Sequence, residues 1–150
     1  MSIWHHKPSL EQLNSWGQNT MLSHLGITFT DLSDDTLTAQ MPVDARTHQP
    51  YGIMHGGASC VLAETVGSTA GQLCLDHTKF FVLGLSINTN HLKVAMKGVV
   101  TGVAQPIHLG RTTQVWEVKI SNEQGALVSI TRMTNLVRER KGDRLNLDFP

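Results

Sequence analysis

Cysteine is scarce in this chain of 150 residues: only Cys60 and Cys74 occur. Both sit in an apolar run, where a free cysteine usually behaves as a small buried hydrophobe. No C-x-x-C or H-x-x-x-H pair accompanies them, so the sequence offers no metal site. An excess of either charge is also missing. Lysine plus arginine balance aspartate plus glutamate at 12 each, which argues against nucleic acid or an anionic membrane as partner. No stretch approaches eighteen consecutive apolar residues, so no transmembrane helix is expected. The start, Met-Ser-Ile-Trp-His-His-Lys-Pro, has no apolar core behind its charges and does not read as a secretory signal. These absences predict a soluble, cytoplasmic protein with no metal and no cofactor. The length suits one domain, which buries roughly 68–70% of its unfolded surface and needs no staples.

What is present is ordered. Pro8-Ser9 with Glu11 and Gln12 resembles a helix start, and Leu10, Leu13 and Trp16 give it an apolar face. A second short turn is expected over Met21 to Leu25, ended by Gly26. Alternation from Ile27 and again over Thr36 to Val43, around Asp34-Asp35, predicts a hairpin. Asp44 to His55 reads as an ordered loop, and Gly56 to Leu75 as the one long helix. Four strands are expected after it: Phe80 to Val94, Val99 to Ile107, Arg111 to Ser121 and Leu127 to Val137. The charged run beyond Val137 reads as a tail, giving one domain over 1–137 and a tail over 138–150. The order of elements is an α+β pattern.

The long helix carries one charged side chain, Glu64, among Ala58, Ala63, Gly67, Ala70 and Gly71. Each interior glycine costs roughly 0.8–1 kcal/mol relative to alanine, so close packing against a sheet is expected there. Glu64, Ser68 and Gln72 fall at i, i+4 and i+8 and share one stripe. The helix alone leaves two readings open: a solvated edge, or a functional carboxylate. Before it, Gly56 and Gly57 stand where the helix should begin. Glycines there expose backbone N–H groups that the helix dipole reinforces, a donor set suited to the oxyanion of an attacked carbonyl. An ordinary loop-to-helix joint has the same sequence.

The string Gln49 to Ser68, QPYGIMHGGASCVLAETVGS, resembles the hotdog-fold thioesterases of the aryl-coenzyme A type. This family includes enzymes that act on dihydroxynaphthoyl-coenzyme A or that proofread a carrier protein. The glutamine, the His-Gly-Gly triplet and the glutamate eight residues after its first glycine make the combination specific, and the likeness runs from about Trp4 to Val137. It implies a six-stranded antiparallel sheet wrapped round a long central helix, with subunits paired as a homodimer or homotetramer. It also implies hydrolysis of acyl- or aroyl-coenzyme A thioesters, with an acyl-carrier protein as a further possible partner. Carried over by position, Glu64 is the catalytic carboxylate and Gly56 N–H the oxyanion donor. Gln49 and His55 polarise or orient the thioester, and Ser68 positions the attacking water or Glu64. His91, in Asn88-Thr89-Asn90-His91, matches a histidine near the acyl group, although Lys93-Val94 replaces the Arg-Pro of relatives. The run Pro106 to Arg111 resembles the nucleotide-end segment, so Arg111, with His108 and Lys93, is expected to meet coenzyme A phosphates. Without the resemblance, Arg111 reads as a solvated charge at a strand start.

A thioester is already activated, so Glu64 serves either as nucleophile or as general base. Neither cysteine has the paired histidine a thiolate nucleophile needs. Two other classes are compatible with the same residues. One is a hotdog hydratase or dehydratase, for which His55 and Glu64 would supply a histidine–carboxylate pair; the other is a non-catalytic acyl-coenzyme A binding module. Trp4, Trp16 and Trp116 read as packing anchors. His5 and His6 lack metal-binding companions, and the six methionines form no stripe.

Overall fold

The computed structural model describes residues 1–141. Helix α1 (Leu10–Trp16) begins at Ser9, whose hydroxyl accepts from Gln12 N–H while the Gln12 side chain accepts from Ser9 N–H. This reciprocal cap satisfies two of the donors that a helix start leaves unpaired. Helix α2 (Met21–Leu25) ends at Gly26, where φ is 72°, a conformation glycine adopts without strain. The hairpin β1 (Thr28–Leu32) and β2 (Leu37–Pro42) follows, then helix α3 (Gly56–Leu73), then β3 (Phe80–His91), β4 (Val99–Leu109), β5 (Thr113–Asn122) and β6 (Leu127–Glu139). All six strands form one antiparallel sheet in the order β1-β2-β4-β5-β6-β3. The sheet wraps α3, which packs against β2, β3, β4, β5 and β6.

The core lies between α3 and the inner face of the sheet. Leu62, Val66 and Ala70 of α3 meet Leu37, Met41, Val100, Trp116, Val118, Ile120 and Met133, all buried. Each such large apolar side chain contributes about 1.5–3 kcal/mol by leaving water. The small residues of α3 are there for contact. A methyl at Gly67 would collide with Met133 Sδ, and one at Gly71 with the amides of Gln114 and Asn135. Those amides also fasten the helix: Asn135 donates to Gly67 C=O at 3.1 Å and Gln114 to Gly71 C=O at 3.2 Å. Trp4 stacks on Trp116, ring centroids 6.3 Å apart, as a packing anchor. The N–H groups of His5 and His6 both donate to Leu73 C=O, closing the C-terminal end of α3.

Several element ends differ from the sequence expectation. Helix α3 stops at Leu73, and Cys74 caps it. Strand β3 stops at His91, not Val94, because the N–H groups of Leu92 and Lys93 both turn to the single Val128 carbonyl and the ladder has no further rung. The chain then peels away, and Ala95 C=O accepts from Met54 N–H, tying this segment to the loop before α3. Strand β6 runs past Val137, since Arg138 and Glu139 pair with Phe81 and Phe80. The expected tail therefore begins two residues too early, and its stretch 142–150 lies outside the described residues. Strands β4 and β5 also extend beyond Ile107 and Ser121, to Leu109 and Asn122.

Candidate active site

The loop from Asp44 to His55 delivers the chain to α3. Asp44 accepts from the Arg46 N–H, Nε and Nη2 at 3.0, 3.1 and 2.6 Å, and this holds its carboxyl down to about 2. Thr47 closes the turn by donating to Pro42 C=O, and Thr47 C=O accepts from His55 N–H. His55 is the N-cap of α3, with φ −67° and ψ 132°. Its Nδ1 accepts from Gly57 N–H at 2.7 Å, so that nitrogen is unprotonated and Nε2 carries the proton. His55 C=O takes Ala58 N–H and Ser59 N–H. Of the four N–H groups that a helix start leaves without intrahelical partners, three are thereby occupied. Among the described residues, Gly56 N–H has no acceptor, and it sits at the positive end of an 18-residue helix.

Gly56 opens on a cleft of about 320 Å³ lined by Gln49, Ile53, His91, Leu92, Lys93 and Val94, among others. Gln49 Oε1 accepts from Tyr51 N–H at 2.6 Å, which fixes its amide and leaves the NH₂ group to donate. His91 lies directly over Gly56: a Cβ there would come within 2.8 Å of His91 Nε2. A side chain at position 56 would have to push the ring aside. Behind His91, Nδ1 is 3.4 Å from Ser59 Oγ, which donates to Ser129 Oγ at 3.4 Å, both serines being fully buried. Leu92 and Val94, which line the cleft, are exposed and give it an apolar rim.

The stripe of α3 is not uniformly wet. Glu64 is exposed, Ser68 half-buried and Gln72 buried. Gln72 donates to Phe80 C=O at 3.3 Å and accepts from Val82 N–H at 3.1 Å, so it ties β3 to the helix. Glu64 lies over Gly84 of β3, and no ion pair holds it among the described residues. Eight residues separate it from Gly56, about 12 Å along the axis, so one chain does not bring the two groups together. Nine residues, about 13.5 Å along the axis, likewise keep His55 from Glu64 within one chain.

The expected nucleotide-end residues are split. Lys93 lies beside the Gly56 cleft. His108 and Arg111 lie at the other end of the sheet, where Leu109 pairs with Gln114 and Thr113 with Leu136. Burial pushes the Cys74 thiol up to about 12, so it has no thiolate at neutral pH. Sequence reasoning passed over Ser59, Ser129 and Gly84. Of these only Gly84, a glycine inside an apolar strand pattern, carries a local signal.

A sequence model of the thioesterase superfamily matches residues 51–129. The chain is 49% identical over 135 residues to the 1,4-dihydroxy-2-naphthoyl-CoA hydrolase of Escherichia coli, covering 90% of this chain and 98% of that one. Its structure is similar to thioesterase PA1618 of Pseudomonas aeruginosa, with a TM-score of 0.91 at 48% identity over 93% of this chain and 100% of that one. Thioesterase HI1161 of Haemophilus influenzae gives a TM-score of 0.91 at 44% identity, covering 95% and 99% of the two chains. The chain belongs to the thioesterase superfamily. It has the hotdog fold and is a thioester hydrolase. No helix among the described residues is long and apolar enough to cross a membrane.

Proposed function

We propose that this enzyme hydrolyses acyl- or aroyl-coenzyme A thioesters in a site shared between two subunits. The observation that carries the reading is the unpaired Gly56 N–H at the start of α3, open to a cleft with Gln49 and His91, while the one carboxylate of that helix stands free two turns away. Two α3 helices packed antiparallel about a two-fold axis place Glu64 of one beside Gly56 of the partner subunit. The free edge of β3, with Leu83, Leu85 and Ile87 exposed, offers a surface for that pairing. A dimer, alone or doubled into a tetramer, meets the requirement.

In this reading the thioester carbonyl oxygen accepts from Gly56 N–H, and the Gln49 amide donates beside it. Glu64 removes a proton from water as the water oxygen attacks the carbonyl carbon, or its carboxylate attacks directly to give an anhydride that water then opens. Negative charge collects on the carbonyl oxygen, where the helix dipole and the preset donors stabilise it. The C–S bond breaks, the coenzyme A sulfur leaves and is protonated, and the free acid is released. His55 orients the oxyanion donor by capping the helix, His91 borders the acyl group, and Ser68 positions the water or Glu64.

An aromatic acyl group is favoured by the name of the Escherichia coli relative and by the apolar rim of the cleft. In the SAV0944 protein of Staphylococcus aureus, the glutamate and glutamine replaced in two crystal structures lie fifteen positions apart, the spacing of Gln49 and Glu64. The deciding measurement is a panel of specificity constants for benzoyl, naphthoyl and straight-chain coenzyme A thioesters, with a carrier-protein thioester alongside. The highest kcat/KM is expected for an aroyl coenzyme A. Preference for the carrier-protein thioester would overturn the coenzyme A reading.

Two-fold pairing also carries the far end of one sheet towards the Gly56 cleft of the partner subunit, where Arg111 can meet the coenzyme A phosphates with Lys93. Arg111→Ala is expected to raise KM for coenzyme A thioesters about tenfold, near the low end for a lost charged hydrogen bond. It should flatten the salt dependence of KM and leave hydrolysis of the matching pantetheine thioester unchanged, since that substrate has no nucleotide phosphates. An equal loss on both substrates would assign Arg111 to folding.

A further inference from the structure

Strand β3 contains a glycine that its backbone does not need. Gly84 interrupts the apolar run Phe80 to Ile87, and its φ lies outside the left-handed region that favours glycine. Glycine inside a strand weakens it and often marks the close approach of another group. The group here is the Glu64 carboxylate: a Cβ at position 84 would collide with Oε1 and lie 3.4 Å from Cδ.

Two further features meet at the same place. The β3–β6 ladder shifts register between Gly84 and Ser86, so Leu85 is an extra residue and turns outward, 59% exposed. Bulges of this kind bend a strand and re-aim its neighbours. The gap between α3 and β3 is also fixed. Asn135, the ladder partner of Gly84, donates to Gly67 C=O at 3.1 Å, and Gln72 holds Phe80 and Val82 by two hydrogen bonds. These ties flank Gly84 and hold helix and strand together, so a methyl group there is accommodated by moving the exposed Glu64 carboxylate.

We infer that Gly84 is a positioning residue, the seat on which the Glu64 carboxylate rests and from which it is aimed. Glutamate has three side-chain torsions, and an exposed one without an ion-pair partner samples many positions; contact with the bare backbone at Gly84 removes those that point along β3. The inference rests on Glu64 being the reacting carboxylate. A misplacement of about 1 Å costs on the order of 10²-fold in rate, so a single methyl at Gly84 is enough to matter.

The test is a cycle of Gly84→Ala, Glu64→Ala and the double variant, read by kcat, KM, oligomeric mass and thermal midpoint. Gly84→Ala is expected to lower kcat about 10- to 100-fold, with KM within about twofold because substrate binding is not what the seat governs. In the Glu64→Ala background the same methyl should change neither the residual rate nor the thermal midpoint for the worse, because the oxygen it collides with is gone. Gly84→Ala with kcat within about twofold of the parent, or the same fractional loss in both backgrounds, overturns the seat. Should Gly84→Ala fail to fold, the double variant must fold; a double variant that also fails overturns it equally. An active Glu64→Ala enzyme overturns the functional reading and the seat together, whereas an inactive Glu64→Ala beside a fully active Gly84→Ala overturns the seat alone.

Discussion

Glu64→Ala is expected to lower turnover by at least about 10²–10⁴-fold, the range that a positioned proton acceptor contributes, and by more if the carboxylate is the nucleophile. Substrate binding should survive. The side chain is exposed on a helix with no other charged residue, so its removal leaves no orphaned partner and no buried cavity. Cys74 does not stand ready to replace it, since burial holds that thiol protonated at neutral pH. Steady-state turnover of the best coenzyme A thioester, with calorimetric binding of a non-hydrolysable thioether analogue, checks both halves. Retention of more than about a tenth of the parent turnover, against the expected loss, would return Glu64 to the solvated edge that the helix pattern alone also allows.

An equal mixture of two inactive variants, Glu64→Ala and Gly56→Pro, is expected to recover about a quarter of wild-type activity after joint unfolding and refolding. Random pairing makes half of the dimers mixed. Each mixed dimer holds one site with both an intact glycine and an intact glutamate, and one site damaged twice. Proline removes the Gly56 N–H at the first helical position, where it is tolerated. His55, at ψ 132°, already has the extended conformation that a following proline demands. The proline Cβ also displaces His91, whose Nε2 would lie 2.8 Å away, but that ring belongs to the same half of the site. A native circular dichroism spectrum for Gly56→Pro is the control. Two folded, pairing variants whose mixture stays inactive would show that each chain works alone.

Local elements were legible where their signals are local. Ser9 with Gln12, Gly26 after α2 and the two glycines opening α3 marked helix ends correctly, because caps are satisfied within a few residues. Strand ends were less so. The apolar pattern of β3 runs on through Val94, yet pairing stops at His91 because the next two N–H groups, of Leu92 and Lys93, both turn to the one Val128 carbonyl. Where a ladder stops is decided together with the partner strand, and that partner lies almost forty residues away. Gln72 shows the same limit. Its spacing put it on one stripe with Glu64, but the start of β3 covers it and makes it a structural tie.

By its resemblance over the stretch Gln49 to Ser68 the sequence pointed to the hotdog thioesterase class, and its local pattern determined a glycine-opened helix start and a lone carboxylate on the same helix. These are short-range features, fixed by helix propensity, capping and periodicity. Tertiary structure alone decided that β3 pairs with β6 and so stands at an edge, that His91 covers Gly56 with two buried serines behind it, that Lys93 and Arg111 lie at opposite ends of the sheet, and that Glu64 rests on Gly84. Each of these is a contact across a long loop, set by the mutual packing of six strands on one helix, and no local pattern encodes which distant segment supplies the other half.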